Sequence, residues 1–180
     1  MNWIDALTAV LSNGGSTDRF AMLSTVDAGG HPRGRSVVVR TLSTGRAPVL
    51  TFSADVRSAK FNELANEDRA ELCWFVPTQF TQYRLAGRAR ISVDAALRQR
   101  IWDATPSNTR GQLLGGVPGT PANTPFEPSG RASDASPPPN FVIVELEVEA
   151  VDVVDLTVTP TRRTTWSLDA EGWQPLDVHA

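Results

Sequence analysis

Apolar residues along this 180-residue chain recur with two different periods, and the switches between them mark out the elements. Trp3, Ile4, Leu7, Val10 and Leu11 fall at helical spacing and stop at "SNGGS", which predicts one short amphipathic helix. From Phe20 the period drops to two. Ala21, Leu23 and Thr25 alternate with their neighbours up to the turn "DAGG", the β-branched "SVVVRTL" follows, and together they predict a hairpin. "APVLTFSA" predicts a third strand. "ELCWFVPTQFTQYRLAGRARISV" predicts two more, the second alternating through Tyr83, Leu85, Gly87, Ala89 and Ile91. Before them, Phe61, Leu64 and Ala65 give "RSAKFNELAN" a helical stripe. "AALRQRIWDAT" predicts a further helix, ended by Pro106. "FVIVELEVEAVDVVDLTV" predicts a long strand or a bent pair, and "RRTTWSLDAEGWQPLDV" a closing hairpin. Residues 115–140 hold seven of the thirteen prolines and few large apolar groups, a composition that predicts a long mobile loop.

Strands dominate, and the βα alternation of a parallel doubly wound sheet is missing. A mainly β fold follows, a small antiparallel barrel with peripheral helices, as one domain over residues 1–180. A net charge of -3 gives no basic field for nucleic acid or an anionic membrane, so any bound anion must be held locally. The single Cys73 excludes an internal disulfide and reads as a buried structural thiol. His31 and His179 lack partners at metal-ligand or triad spacing, and the Gly-Gly pairs form no phosphate-binding fingerprint. The first residues have no basic leader region and no later stretch approaches a membrane span, so a cytoplasmic protein is expected.

One lysine, Lys60, stands among sixteen arginines. Composition bias alone leaves such a residue. Its neighbours give it a second reading, because Arg57 and Ser58 lie where its helix begins, after a strand and after Asp55, a plausible N-cap. A helix N-terminus with a hydroxyl, a guanidinium and an ammonium makes a good phosphate site. Arg35 and Arg40 flank the strand "RSVVVR", and a separation of five places them on opposite faces unless the strand bulges.

"RFAMLSTV", "PRGRSVVVRTL", "ADVRSAK" and "CWFVP…QYRLAGRARI", in that order, resemble the pyridoxamine 5'-phosphate oxidase-like flavoproteins, especially their Alr4036-type branch. That resemblance implies an FMN-binding split barrel that dimerises and holds FMN between its subunits. It implies an Arg35 contact to the FMN phosphate, backbone contacts from Ser36, Val37 and Val38 to the isoalloxazine edge, and Arg40 near the ring or the substrate. Ser58 and Lys60 would meet the phosphate with Arg57 assisting. Ser53 and Ala54 stand where the family often has hydroxyl residues. Gln82 would meet the polar edge of the ring, and Arg163 resembles the arginine that approaches FMN from the partner chain.

In the pyridoxal-phosphate-forming enzymes a Tyr, an Arg and a Ser grip the substrate phosphate, where this chain has Ile101, Thr105 and Thr109. An Arg-x-His pair of those enzymes is replaced by Thr159 and Thr161. The expectation is therefore an FMN-dependent oxidoreductase for a small molecule other than vitamin B6, with no protein nucleophile, since the flavin supplies the chemistry. A non-catalytic protein binding flavin, deazaflavin or haem is the alternative, and a barrel that has lost its ligand is a third reading.

Overall fold

The computed structural model describes residues 2–128, 130–131 and 135–180. The elements run α1 (Trp3–Asn13), β1 (Phe20–Val26), β2 (Pro32–Leu42), β3 (Val49–Asp55), α2 (Ala59–Asn66), β4 (Arg69–Val76) and β5 (Thr81–Ile91). After them come α3 (Ala95–Asp103), α4 (Ser107–Gln112), β6 (Phe141–Asp155), β7 (Arg162–Leu168) and β8 (Trp173–Val178). All ladders are antiparallel, in the order β3-β2-β1-β4-β5-β6-β7-β8. β3 also pairs with β6, which closes the first six strands of that order into a barrel and leaves β7 and β8 as an extension.

The two-residue period becomes inward and outward faces. Leu23, Leu50, Phe52, Leu72, Trp74, Leu85 and Leu146 point inward and are fully buried. Each such side chain contributes about 1.5–3 kcal/mol over its exposed state. α1 lays Trp3, Ile4, Leu7 and Val10 on this core. A smaller cluster forms where Leu97, Ile101 and Trp102 of α3 meet Phe141 and Ile143 of β6.

β6 is a single continuous strand of fifteen residues. Phe141–Glu147 pair with β3, and from Ala150 to Asp155 the same edge pairs with β7, while β5 runs along the other side. The β5–β6 register shifts at Ala86/Gly87. There a Cβ on Gly87 would lie 1.9 Å from the Glu147 carbonyl oxygen, so the close approach of the two backbones requires glycine.

Two local expectations are corrected and one helix is added. The N-cap of α2 is Ser58 rather than Asp55, whose carboxylate instead accepts the Arg57 N–H at 2.8 Å. On the same helix Ala65 faces solvent while Glu63 is buried, because a cation waits for its carboxylate inside. Ser107–Gln112 is helical although it offers no apolar stripe; Arg110 anchors it, donating to Thr105 and Asp103 carbonyls and stacking over Trp102 at 4.7 Å. Within 115–140, residues 129 and 132–134 lie outside the described residues, and the rest has neither helix nor strand. Cys73 is half-buried on the outward side of β4, level with Met22, and burial pushes its thiol pKa up.

Candidate functional site

β2 and β3 part company along their length. Their ladder holds Val39 to Phe52, Thr41 to Thr51 and Leu42 to Leu50, with a bulge at Arg40, and goes no further. Below it, Ser36, Val37 and Val38 have ladder partners only on β1, while Ser53, Ala54 and Asp55 have theirs only on β6. A strand edge released this way presents unpaired N–H and C=O groups to whatever enters the gap.

Cations gather around the opening. Arg40, the bulged residue, turns outward and donates from Nε and a terminal nitrogen to Ser53 Oγ at 3.3 and 3.2 Å. Burial lowers the Arg40 pKa, and the charge of Arg19 adds to the effect. Lys60 donates to Ser58 Oγ at 2.8 Å, and Ser58 passes its own hydroxyl to the Asp55 carbonyl at 2.6 Å. Burial lowers the Lys60 pKa as well, with repulsion from Arg35 as the next cause; Asp55 and Glu63 act in the opposite sense. Neither Arg40 nor Lys60 forms an ion pair among the described residues. Half-buried cations short of counter-charge fit an anionic group.

Arg35 sits on the inward side of β2, in line with the buried Val37 and Val39. Its guanidinium meets Thr25 Oγ1 and the Glu63 carboxylate, and Thr25 donates to the same carboxylate oxygen at 2.6 Å. Thr25 and Glu63 are buried. This closed ring fixes Arg35 beside Lys60, three residues before Glu63 on the same helix. Sequence reading missed Thr25 and Glu63. The spacing of Lys60 and Glu63 put both on one helix face, which was the available signal.

Arg57 faces elsewhere. It grips Asp55 through Nε and a terminal nitrogen, the latter at 2.7 Å, and donates to the Gly115 and Leu113 carbonyls at 3.2 Å each. Asn140, also missed, donates to Asp55 at 3.0 Å and to the Leu113 carbonyl at 2.8 Å. Burial works to raise the Asp55 pKa, but the hydrogen bonds from Arg57 and Asn140 carry it below the usual carboxylate value. Ala54 is buried in the core, on the face opposite Ser53.

An outward row of side chains joins the remaining positions. Val38 stands opposite Phe20, and Phe75 opposite Gln82, which faces Val154, which faces Arg163. The Met22–Cys73 register, carried two residues on, sets Phe20 level with Phe75. Phe20 is 51% exposed, Met22 44% and Phe75 39%, so this face is both apolar and open. Arg163 is held by Asp152, which accepts from it at 2.7 Å. Of the substituted positions, Ile101 and Thr105 are buried, Thr105 donating to the Ile101 carbonyl at 2.7 Å. They present no cation to a substrate phosphate.

The family model described as pyridoxamine 5'-phosphate oxidase, FMN-binding domain, matches residues 1–93. Pyridoxine/pyridoxamine 5'-phosphate oxidase 2 of Arabidopsis thaliana is 28% identical over 151 residues, which are 78% of this chain and 75% of that protein. A pyridoxamine 5'-phosphate oxidase-related, FMN-binding protein of Nostoc punctiforme PCC 73102 is similar in structure, with a TM-score of 0.80 and 26% identity over 98% of this chain and 95% of that one. PhzG of Burkholderia lata 383, solved with tetrahydrophenazine-1-carboxylic acid, gives a TM-score of 0.71 over 97% of this chain and 88% of its own, at 16% identity, a likeness of fold alone.

Proposed function

The chain belongs to the pyridoxamine 5'-phosphate oxidase family of FMN-binding domains and has FMN as its cofactor, and from that premise we propose that it is an FMN-dependent oxidoreductase acting on a small molecule without a gripped phosphate. The observation that carries the reading is the parting of β2 from β3 beside two half-buried cations. In this reading Arg35, Ser58 and Lys60 hold the FMN phosphate. The free edge of Ser36, Val37 and Val38 borders the ring, with Arg40 and Ser53 at its side. Gln82 supplies a hydrogen-bonding amide farther along the outward face. Arg57 and Ala54 act indirectly, the one by bracing the turn and the other by filling the core. Bound FMN supplies two-electron redox chemistry, and the protein's task is to grip, orient and shield it.

The reading includes a homodimer. Val38 and Arg163 stand at the two ends of one outward row that runs through β1, β4, β5 and β6, and in this reading Arg163 approaches the ring of a second copy. The open face containing Phe20, Met22 and Phe75 supplies an apolar surface for that copy to cover. The replacement of phosphate-gripping residues by Ile101, Thr105 and Thr109 argues against vitamin B6 phosphates as substrates.

The test is anaerobic titration of the FMN-loaded protein with NADH, NADPH and candidate small-molecule reductants, followed by reoxidation. Bleaching and recovery of the flavin absorbance with turnover are expected. Stoichiometric FMN binding without reduction by any donor would replace the enzyme by a flavin carrier.

A further inference from the structure

A carboxylate beside an anion site needs a reason. Glu63 is buried on α2, one turn after Lys60, and has no part in gripping the flavin. A phosphate brought to Arg35 and Lys60 is repelled by it. Its own burial is costly unless it is both paired and hydrogen-bonded. Its partners supply the reason.

The ring around Glu63 draws on β1, β2 and α2. Leu23 is the ladder partner of Arg35 and Thr25 that of Arg33, so Thr25 stands diagonally across from Arg35. One terminal nitrogen of Arg35 donates to Thr25 Oγ1 and the other to Glu63 Oε2, and the Thr25 hydroxyl closes the ring on that same oxygen at 2.6 Å. A guanidinium is planar and rigid, so fixing both terminal nitrogens also fixes where its remaining N–H groups point. Those groups have no partner among the described residues, and the Arg35 side chain is 22% exposed, which leaves them open to a ligand. Charge divides along the same lines. The Glu63 carboxylate offsets the charge of Arg35, whereas Lys60 donates to the neutral Ser58 hydroxyl and forms no ion pair among the described residues.

We propose that Glu63 and Thr25 are positioning residues of the phosphate site: they aim the guanidinium of Arg35 at a phosphomonoester, so that Arg35 supplies direction and Lys60 supplies uncompensated charge. This rests on the reading of Arg35 as a phosphate ligand.

The experiment is titration of the full chain, stripped of flavin, with FMN and with riboflavin, which lacks the phosphate. The readout is the ratio of the two affinities. Thr25→Val keeps shape and charge and removes the bridging hydroxyl; it is expected to lower the ratio about fivefold, the value of one hydrogen bond. Glu63→Leu removes a negative charge and should nevertheless weaken FMN, lowering the ratio about tenfold. Glu63→Gln keeps an acceptor and restores most of that loss. In an Arg35→Ala background neither Thr25→Val nor Glu63→Leu changes the ratio further, because both act through Arg35. If Glu63→Leu fails to fold, the isosteric Thr25→Val still decides. Tighter FMN binding by Glu63→Leu would make the carboxylate a mere counter-charge, and an equal loss for FMN and riboflavin would make it a prop of the barrel. Either overturns the proposal, as does a parental ratio in both variants while Arg35→Ala lowers it. If Arg35→Ala itself keeps the parental ratio, the phosphate reading falls and the proposal falls with it.

Discussion

Asn140 donates to Asp55 Oδ2 at 3.0 Å, so the residue that ends the proline-rich segment is bonded to the residue that ends β3. Arg57 shares that carboxylate and reaches the Leu113 and Gly115 carbonyls. Both ends of a segment of more than twenty residues are thereby tied to the turn that leads into Ser58 and Lys60.

Asn140→Ala removes donors from Asp55 and the Leu113 carbonyl and is expected to cost about 1–3 kcal/mol of stability, measured by urea unfolding. Asp55 has a lowered carboxyl pKa, so its contribution is full above the unfolded-state value and is lost as pH falls through the folded one. Asp55→Asn should flatten the acid limb of the stability curve. An acid limb identical to that of the parent protein would place the sensitivity elsewhere.

Lys60→Ala and Arg35→Ala should each weaken FMN binding by about 1.5–3 kcal/mol, the range for charged hydrogen bonds, and leave riboflavin binding nearly unchanged. The two differ in stability. Arg35→Ala strands the buried Glu63 carboxylate and destabilises by about 3–5 kcal/mol, whereas Lys60→Ala relieves a repulsion with Arg35. Flavin fluorescence titration and urea melts read both quantities, and unchanged FMN affinity in both variants would move the phosphate elsewhere.

Lys60 loses its proton below the usual lysine value because burial, then Arg35, disfavours its charge. The anion is held by the protonated form. FMN affinity is therefore expected to decline as alkaline pH passes through this lowered value, and Lys60→Arg, protonated throughout, should hold a plateau there. Equilibrium dialysis across the alkaline range makes the comparison, and parallel curves for the two proteins would assign the decline to another group.

Gly87→Ala drives a methyl group to within 1.9 Å of the Glu147 backbone oxygen. The two strands must separate, at about 1–3 kcal/mol or more, and the midpoint of thermal unfolding should fall. A midpoint equal to that of the parent would show that the β5–β6 bulge relaxes freely.

The barrel was legible because burial follows a local rule. Tyr83, Leu85 and Ala89 alternate with their neighbours in the sequence and again in the fold. Lys60 was legible as well, as the lone lysine at a strand-to-helix junction. The Asp55, Arg57 and Asn140 clamp was not, since its partners lie 85 residues apart and meet only when β6 returns beside β3. Glu63 escaped notice because a carboxylate in a helix is ordinarily solvated. Arg35 and Thr25, delivered by two other strands, make its burial tolerable. The end of the β2–β3 ladder at Val39 is announced by no residue pattern in either strand.

The continuity of β6 separates recognisability from autonomy. The stretch matched by the family model stops just after β5 and contains none of Phe141–Asp155. Severed from its distal portion, that signature would be a gutter with two naked margins, one along β3 and one along β5, each a template for a neighbouring polypeptide. What marks this lineage and what keeps it from polymerising are inscribed at opposite ends of the molecule.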